Sequence, residues 1–179
     1  MSEHSSGFYS EALQQAIDDS KHIIENFAEI RNQISKDIKE LENYLNSHAP
    51  KEDFIFSLGE NFFANDEYEF SQRMDEYGQG EGRMQEEILA WKSDLKGRFR
   101  LFYDLIECNA LVEVDGPGGP YFKDKNSISC QSKPLIECNF DVRKRMITHL
   151  PSFVKALATH LSSAAGLEDP FGEDDRPFF

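Results

Sequence analysis

The sequence lacks any apolar run approaching the roughly 20 residues that a bilayer-spanning helix needs. Its first residues, "MSEHSSGFYSEAL", lack the basic-then-apolar order of a secretory leader. Cysteine is scarce: Cys108, Cys130 and Cys138 are the only three, and no two form a CxxC pair. An odd count without paired spacing argues against a disulfide framework and for a reducing compartment. The expectation is therefore a soluble, cytoplasmic chain. The same cysteines are separated by 22 and 8 residues, and His149 follows 11 residues later. A tetrahedral zinc site takes two ligands from one tight turn, which these spacings do not supply. Neither a metal nor a cofactor is expected.

Catalytic patterns are absent as well. The histidines, His4, His22, His48, His149 and His160, are scattered, and no nucleophile stands in sequence beside a base. Carboxylates are plentiful, but none occupies a recognisable acid/base motif. The glycines of "GQGEG" (78–82) are spaced like a phosphate loop, yet no strand is expected before them and no Lys-Ser/Thr follows. They read as a flexible joint. An enzyme is not the expectation.

What the sequence has is negative charge, unevenly placed. The net charge is −14, from 19 basic and 33 acidic residues. Residues 1–91 hold a net of −13, residues 92–165 a net of +3, and residues 166–179 a net of −4. A mildly basic stretch thus lies between an acidic front and an acidic tail. The phenylalanine count, 15, is also high, which is enough aromatic area for a sizeable core.

The periodicities predict an α+β fold that is mostly α. From about Ser10 to Ser47 there is no Gly or Pro, and apolar residues repeat every seven. One set is Ile17, Ile24, Arg31, Ile38 and Leu45; the other is Leu13, Ser20, Phe27, Ile34 and Leu41. These are the a and d positions of coiled-coil heptads, broken by Ser20 and Arg31. Such a helix either packs within its own chain or joins copies of it. In the second case Ile17, Ile24, Phe27, Ile34, Ile38 and Leu41 would carry the oligomer. Residues 52–77 read as short aromatic-rich helices broken at Gly59. Residues 83–109 read as a second long amphipathic helix, from Met84, Ile88, Trp91, Leu95, Phe102 and their neighbours. "ALVEV", the "DGPGGP" turn, "SISCQ" and "PLIECNF" predict a small antiparallel β-meander. A helix pair follows, with Pro151 in a first turn and Gly166 closing it. The domain plan is a heptad helix over 1–50, an α+β region over 51–165, and an acidic aromatic tail over 166–179. The pentapeptide "LIECN" occurs at 105–109 and 135–139, but its flanks diverge and no duplication is read from it.

Two binding surfaces are expected. Lys92, Lys96, Arg98 and Arg100, with Arg143, Lys144 and Arg145, lie among aromatic residues. Cations along a groove with rings for base stacking suit single-stranded nucleic acid, although these cations could equally answer the acidic half of the same protein. The tail "EDDRPFF", Glu173 to Phe179, resembles the acidic Pro-Phe tip of bacterial single-stranded-DNA-binding proteins and the acidic, phenylalanine-ended tails of some phage single-strand binders. Arg176 interrupts the acids and Phe179 extends the tip, both departures from that pattern. The resemblance implies that Asp174, Asp175, Pro177, Phe178 and Phe179 dock partner proteins of replication and repair.

From these features the leading expectation is a non-enzymatic acidic protein-binding module of the inhibitor, immunity or nucleic-acid-mimic type, recognising a basic protein. The alternative is an accessory factor that binds single-stranded nucleic acid and recruits partners through its tail.

Overall fold

In the computed structural model, which describes residues 5–114 and 120–167, four helices flank one four-stranded antiparallel sheet. Helix α1 (Ser5–His48) is followed by strand β1 (Phe54–Ala64), helix α2 (Glu67–Tyr77) and strands β2 (Gln79–Ser93), β3 (Phe99–Val114) and β4 (Pro120–Pro134). A 3-10 turn (Leu135–Glu137) leads into α3 (Phe140–Met146) and α4 (Leu150–Ala164). The strands lie in sequence order, β1-β2-β3-β4. The architecture is α+β, with far more strand than "mostly α" implies.

Helix α1 runs unbroken for 44 residues, covering the span from about Ser10 to Ser47 that the heptads and the lack of Gly and Pro predict and starting earlier, at Ser5. It stops at His48 because Pro50 cannot continue it. Its last third is built into the core, with Ile34, Ile38 and Leu45 buried and Leu41 packed beside them.

Of two expected helical regions, one is half strand and the other is a strand hairpin. Residues 52–77 divide into β1 and α2. Asp66 separates the two, capping α2 by accepting from the Glu69 N–H, and Gly78 ends it in the left-handed conformation at φ 65°. Gly59 does not break the segment: β1 runs through it, and it sits at a β-bulge with φ 133°. The expected helix over 83–109 is the β2–β3 hairpin, in register from Gln79↔Glu113 to Ser93↔Phe99. Asp94 makes its turn: the carboxylate accepts from the Lys96 and Arg98 N–H groups, and Gly97 takes φ 72°. These hydrogen bonds, that from the Arg98 N–H above all, hold the Asp94 carboxyl down to about 2. The helical reading failed because this hairpin is apolar on both faces. Leu89, Trp91, Leu101 and Tyr103 point one way, and Ile88, Ala90 and Phe102 the other, so the alternation of a half-buried strand is masked.

The "GQGEG" segment is not a joint but the start of β2. Gly80 and Gly82 are covered by rings: an added Cβ would sit 2.2 Å from Phe70 Cε2 and 2.3 Å from Phe62 Cζ. "PLIECNF" forms the 3-10 turn rather than a strand, and Asn139 caps α3 through the Val142 N–H. The first "LIECN" copy lies inside β3, so the two copies share no conformation. Pro151 stands in the first turn of α4 and Gly166 follows its end with φ 67°, both as expected.

The main core lies between the Trp91 face of the sheet and α1, α3 and α4, around Trp91, Phe153, Ile38, Leu101 and Met146. On the opposite face a smaller cluster of Met84, Cys108 and Ala110 is closed by Phe62 and Phe122.

Candidate functional site

The basic residues singled out in the sequence divide between the two faces of the sheet. Lys92, Lys96, Arg98 and Arg100 line one cleft of about 570 Å³ at the turn end of the β2–β3 hairpin, with Phe102, Ser132 and Pro134. No cysteine or histidine lines it. Arg145 instead reaches the other face, where it binds Glu87 and meets the Tyr103 hydroxyl. Arg143 donates to the Ser35 hydroxyl of α1 at 2.6 Å, and Lys144 is exposed. The seven therefore do not make a single groove.

Most of these cations already hold an internal carboxylate. Lys92 binds Asp104, which is only 6% exposed, and its ammonium also lies 5.0 Å from the Phe102 ring. Arg98 closes on Asp94 at 2.8 Å, and Arg100 binds Glu137 at 2.7 Å. Lys96 and Lys144 carry exposed ammonium groups with no ion pair among the described residues. The arrangement favours the view that the central cations answer the protein's own acids.

Sequence reading missed the acids on the inner side of these pairs. Asp104 is the one charged residue of "LFYDLI" (101–106), and a single carboxylate in an apolar run is the signal that a buried partner awaits it. Glu42 of α1 accepts from the Leu101 N–H at 3.0 Å and lies 3.7 Å from Arg100, tying the long helix to β3. Burial pushes the Glu42 carboxyl above its usual 4.5, and the Leu101 N–H and Arg100 offset only part of this. Tyr103 is driven to about 12 by burial and by its hydrogen bond to Glu87.

Glu42 carries a pH prediction. A carboxyl raised in the folded state stabilises the fold below its unfolded value, and that contribution is lost as pH rises through the folded one. Glu42→Gln keeps an acceptor for the Leu101 N–H and removes the buried charge. Its denaturation midpoint relative to wild type should therefore improve between pH 4 and pH 7. A variant that loses ground over that range contradicts the assignment.

The acids that are not absorbed face solvent. Between residues 11 and 30 of α1, five carboxylates (Glu11, Asp18, Asp19, Glu25 and Glu29) accompany one lysine, and all five are exposed. In α2, Glu67, Glu69, Asp75 and Glu76 are exposed beside one arginine, Arg73, which pairs with Glu69 and approaches Glu81. Of the expected oligomerisation residues, Ile17, Ile24 and Phe27 are exposed, whereas Ile34, Ile38 and Leu41 pack inside this chain. The docking residues of the tail, Asp174, Asp175, Pro177, Phe178 and Phe179, lie outside the described residues.

Cys108 and Cys138 are buried and Cys130 is exposed. Burial pushes the Cys138 thiol up, away from the reactive thiolate. Among the described residues no group of three His, Cys, Asp or Glu side chains could hold a metal ion, and no helix is long and apolar enough to cross a membrane. Compared with known proteins, the chain matches no family model, no curated protein and no solved structure.

Proposed function

We propose that this chain is a non-enzymatic binding protein whose acidic helices recognise a cationic protein surface, as an inhibitor, immunity protein or nucleic-acid mimic does. The observation that supports it is the division of charge. Lys92, Arg98, Arg100 and Arg145 are engaged by Asp104, Asp94, Glu137 and Glu87, while the carboxylates of α2 and of residues 11–30 of α1 stand exposed to solvent. Net negative charge projected outward steers encounter with a basic partner and rejects acidic ones.

The test is capture by the tagged full chain, compared with a Glu67→Lys/Asp75→Lys/Glu76→Lys variant. All three side chains are exposed on α2, so the fold should survive the change. Basic proteins held by the wild type at about 0.1 M salt should be lost to the variant and released by about 0.5 M salt. A captured set unchanged by both would refute the reading.

The second reading, an accessory factor for single-stranded nucleic acid, is favoured by one observation. Four of the seven basic residues share the cleft with Phe102. In that reading the tail residues recruit the partner. Lys96→Glu/Arg98→Glu should then weaken binding of a labelled single-stranded oligonucleotide at low salt; no measurable binding by the wild type discards it.

A further inference from the structure

Six large apolar side chains on α1, Leu13, Ile17, Ile23, Ile24, Phe27 and Ile30, remain 47% to 72% exposed. They are not scattered. Leu13, Ile17, Ile24 and Phe27 continue the same a/d stripe that Ile34, Ile38, Leu41 and Leu45 use to pack on the sheet and the C-terminal helices. Ile23 and Ile30 lie one heptad apart on the g flank, in line with Ala16. The acids of this stretch, Asp18, Asp19, Glu25 and Glu29, with His22 and Asn26, fall on the outer positions b, c and f, while Gln14 and Lys21 stand at e and Ser20 and Arg31 interrupt the stripe itself. A contiguous exposed stripe of this kind is an interaction surface.

We propose that a second copy of this chain covers it, the two α1 helices pairing antiparallel about a two-fold axis near residue 22. This goes beyond the charge-driven binding argued above and is independent of it. The direction follows from the side chains. In antiparallel pairing a positions meet d positions, so Ile17 faces Phe27 of the second copy, Ser20 faces Ile24, and Arg31 faces Leu13 at an open end where its guanidinium reaches water. Parallel pairing would instead set Arg31 against Arg31.

The flanks agree. Antiparallel helices bring g against g, so Ile23 meets itself across the axis and Ile30 meets the small Ala16. Parallel helices bring g against e, leaving Ile30 against Ser35 and Ala16 against Lys21. The bodies agree too. An overlap over residues 13–31 spans about 28 Å and its last turn runs beside the body, since the ring of Phe27 lies 4.7 Å, centroid to centroid, from that of Phe140. Antiparallel pairing places the two sheets at opposite ends; parallel pairing crowds them together. The interface is isologous and closes as a dimer.

Sedimentation of the full chain at tens of micromolar should give twice 20.6 kDa, and Ile17→Asp/Ile24→Asp should give the monomer mass with an unchanged circular dichroism spectrum. A monomeric wild type overturns the proposal. Direction is read in a Cys130→Ser background, which removes the exposed native thiol. Under a mild oxidant Ile23→Cys should cross-link to its own copy, and Ala16→Cys, about 18 Å from its counterpart along the antiparallel pair, should not. Cross-linking through position 16 and not 23 overturns the antiparallel arrangement.

Discussion

Replacing Lys92 with methionine should destabilise the protein by about 3 kcal/mol, at the low end of the cost of breaking a buried ion pair. Asp104 is 6% exposed and accepts from the Lys92 ammonium through Oδ2, while its Oδ1 is buried with no hydrogen-bond partner among the described residues. Methionine preserves the stem that lies along Phe102 and removes only the charge, so the loss reports an uncompensated carboxylate and not a cavity. The low end applies because the Lys92 side chain is still 26% exposed, and water entering beside it screens part of the loss. Lys92→Met combined with Asp104→Leu should recover most of the stability, because a half-satisfied pair is replaceable by apolar packing. Denaturant midpoints for the two single variants and the double form the required cycle. A Lys92→Met loss below about 1 kcal/mol would show that the pair is solvated.

Trp91→Ala should be costlier still, about 3–5 kcal/mol. The ring is fully buried at the centre of the main core, its centroid 5.7 Å from that of Phe99, with the Lys51 ammonium 5.7 Å from the ring. Its indole Nε1 is buried without an acceptor among the described residues. Trp91→Phe deletes that orphan donor together with part of the ring, so it should cost well under half as much as the alanine change. Thermal denaturation of both variants, followed by far-ultraviolet circular dichroism, gives the ratio. Equal losses would mean that the indole N–H finds an acceptor in solution.

The parts of this fold that were legible in the sequence are those with a single buried stripe. Helix α1 shows its heptads and its proline stop, and α4 shows an apolar period with Pro151 at its start. The hairpin of β2 and β3 was not legible, because side chains from both of its faces are buried and no alternation survives. Its turn was present in "DLKG", where an Asp that can accept two backbone N–H groups precedes a glycine with positive φ; inside an apparent helix that signal looked like a mere weakness. Gly80 and Gly82 misled for a related reason. They are required by the rings of Phe70 and Phe62 above them, a contact from distant positions that no local pattern reveals. The seven basic residues were visible, but their division between two faces follows from the pairing of β2 with β3 and from the docking of α3 on the other face, which no local pattern shows. Asp104, which occupies Lys92, sits 12 residues away in sequence and on the neighbouring strand, where the register sets it opposite Ile88 and the long lysine side chain reaches it.

The central claim is that the exposed acids, not the paired cations, make this protein's contacts. Its most direct measurement is the affinity for the captured basic partner at about 0.05 M and about 0.5 M salt, for the wild type and for Glu67→Gln/Asp75→Gln/Glu76→Gln. Affinity should fall at least about tenfold across that range for the wild type, and the amide variant should start weaker and fall less. A complex equally tight at both salt concentrations, with the amide variant indistinguishable from the wild type, contradicts the account.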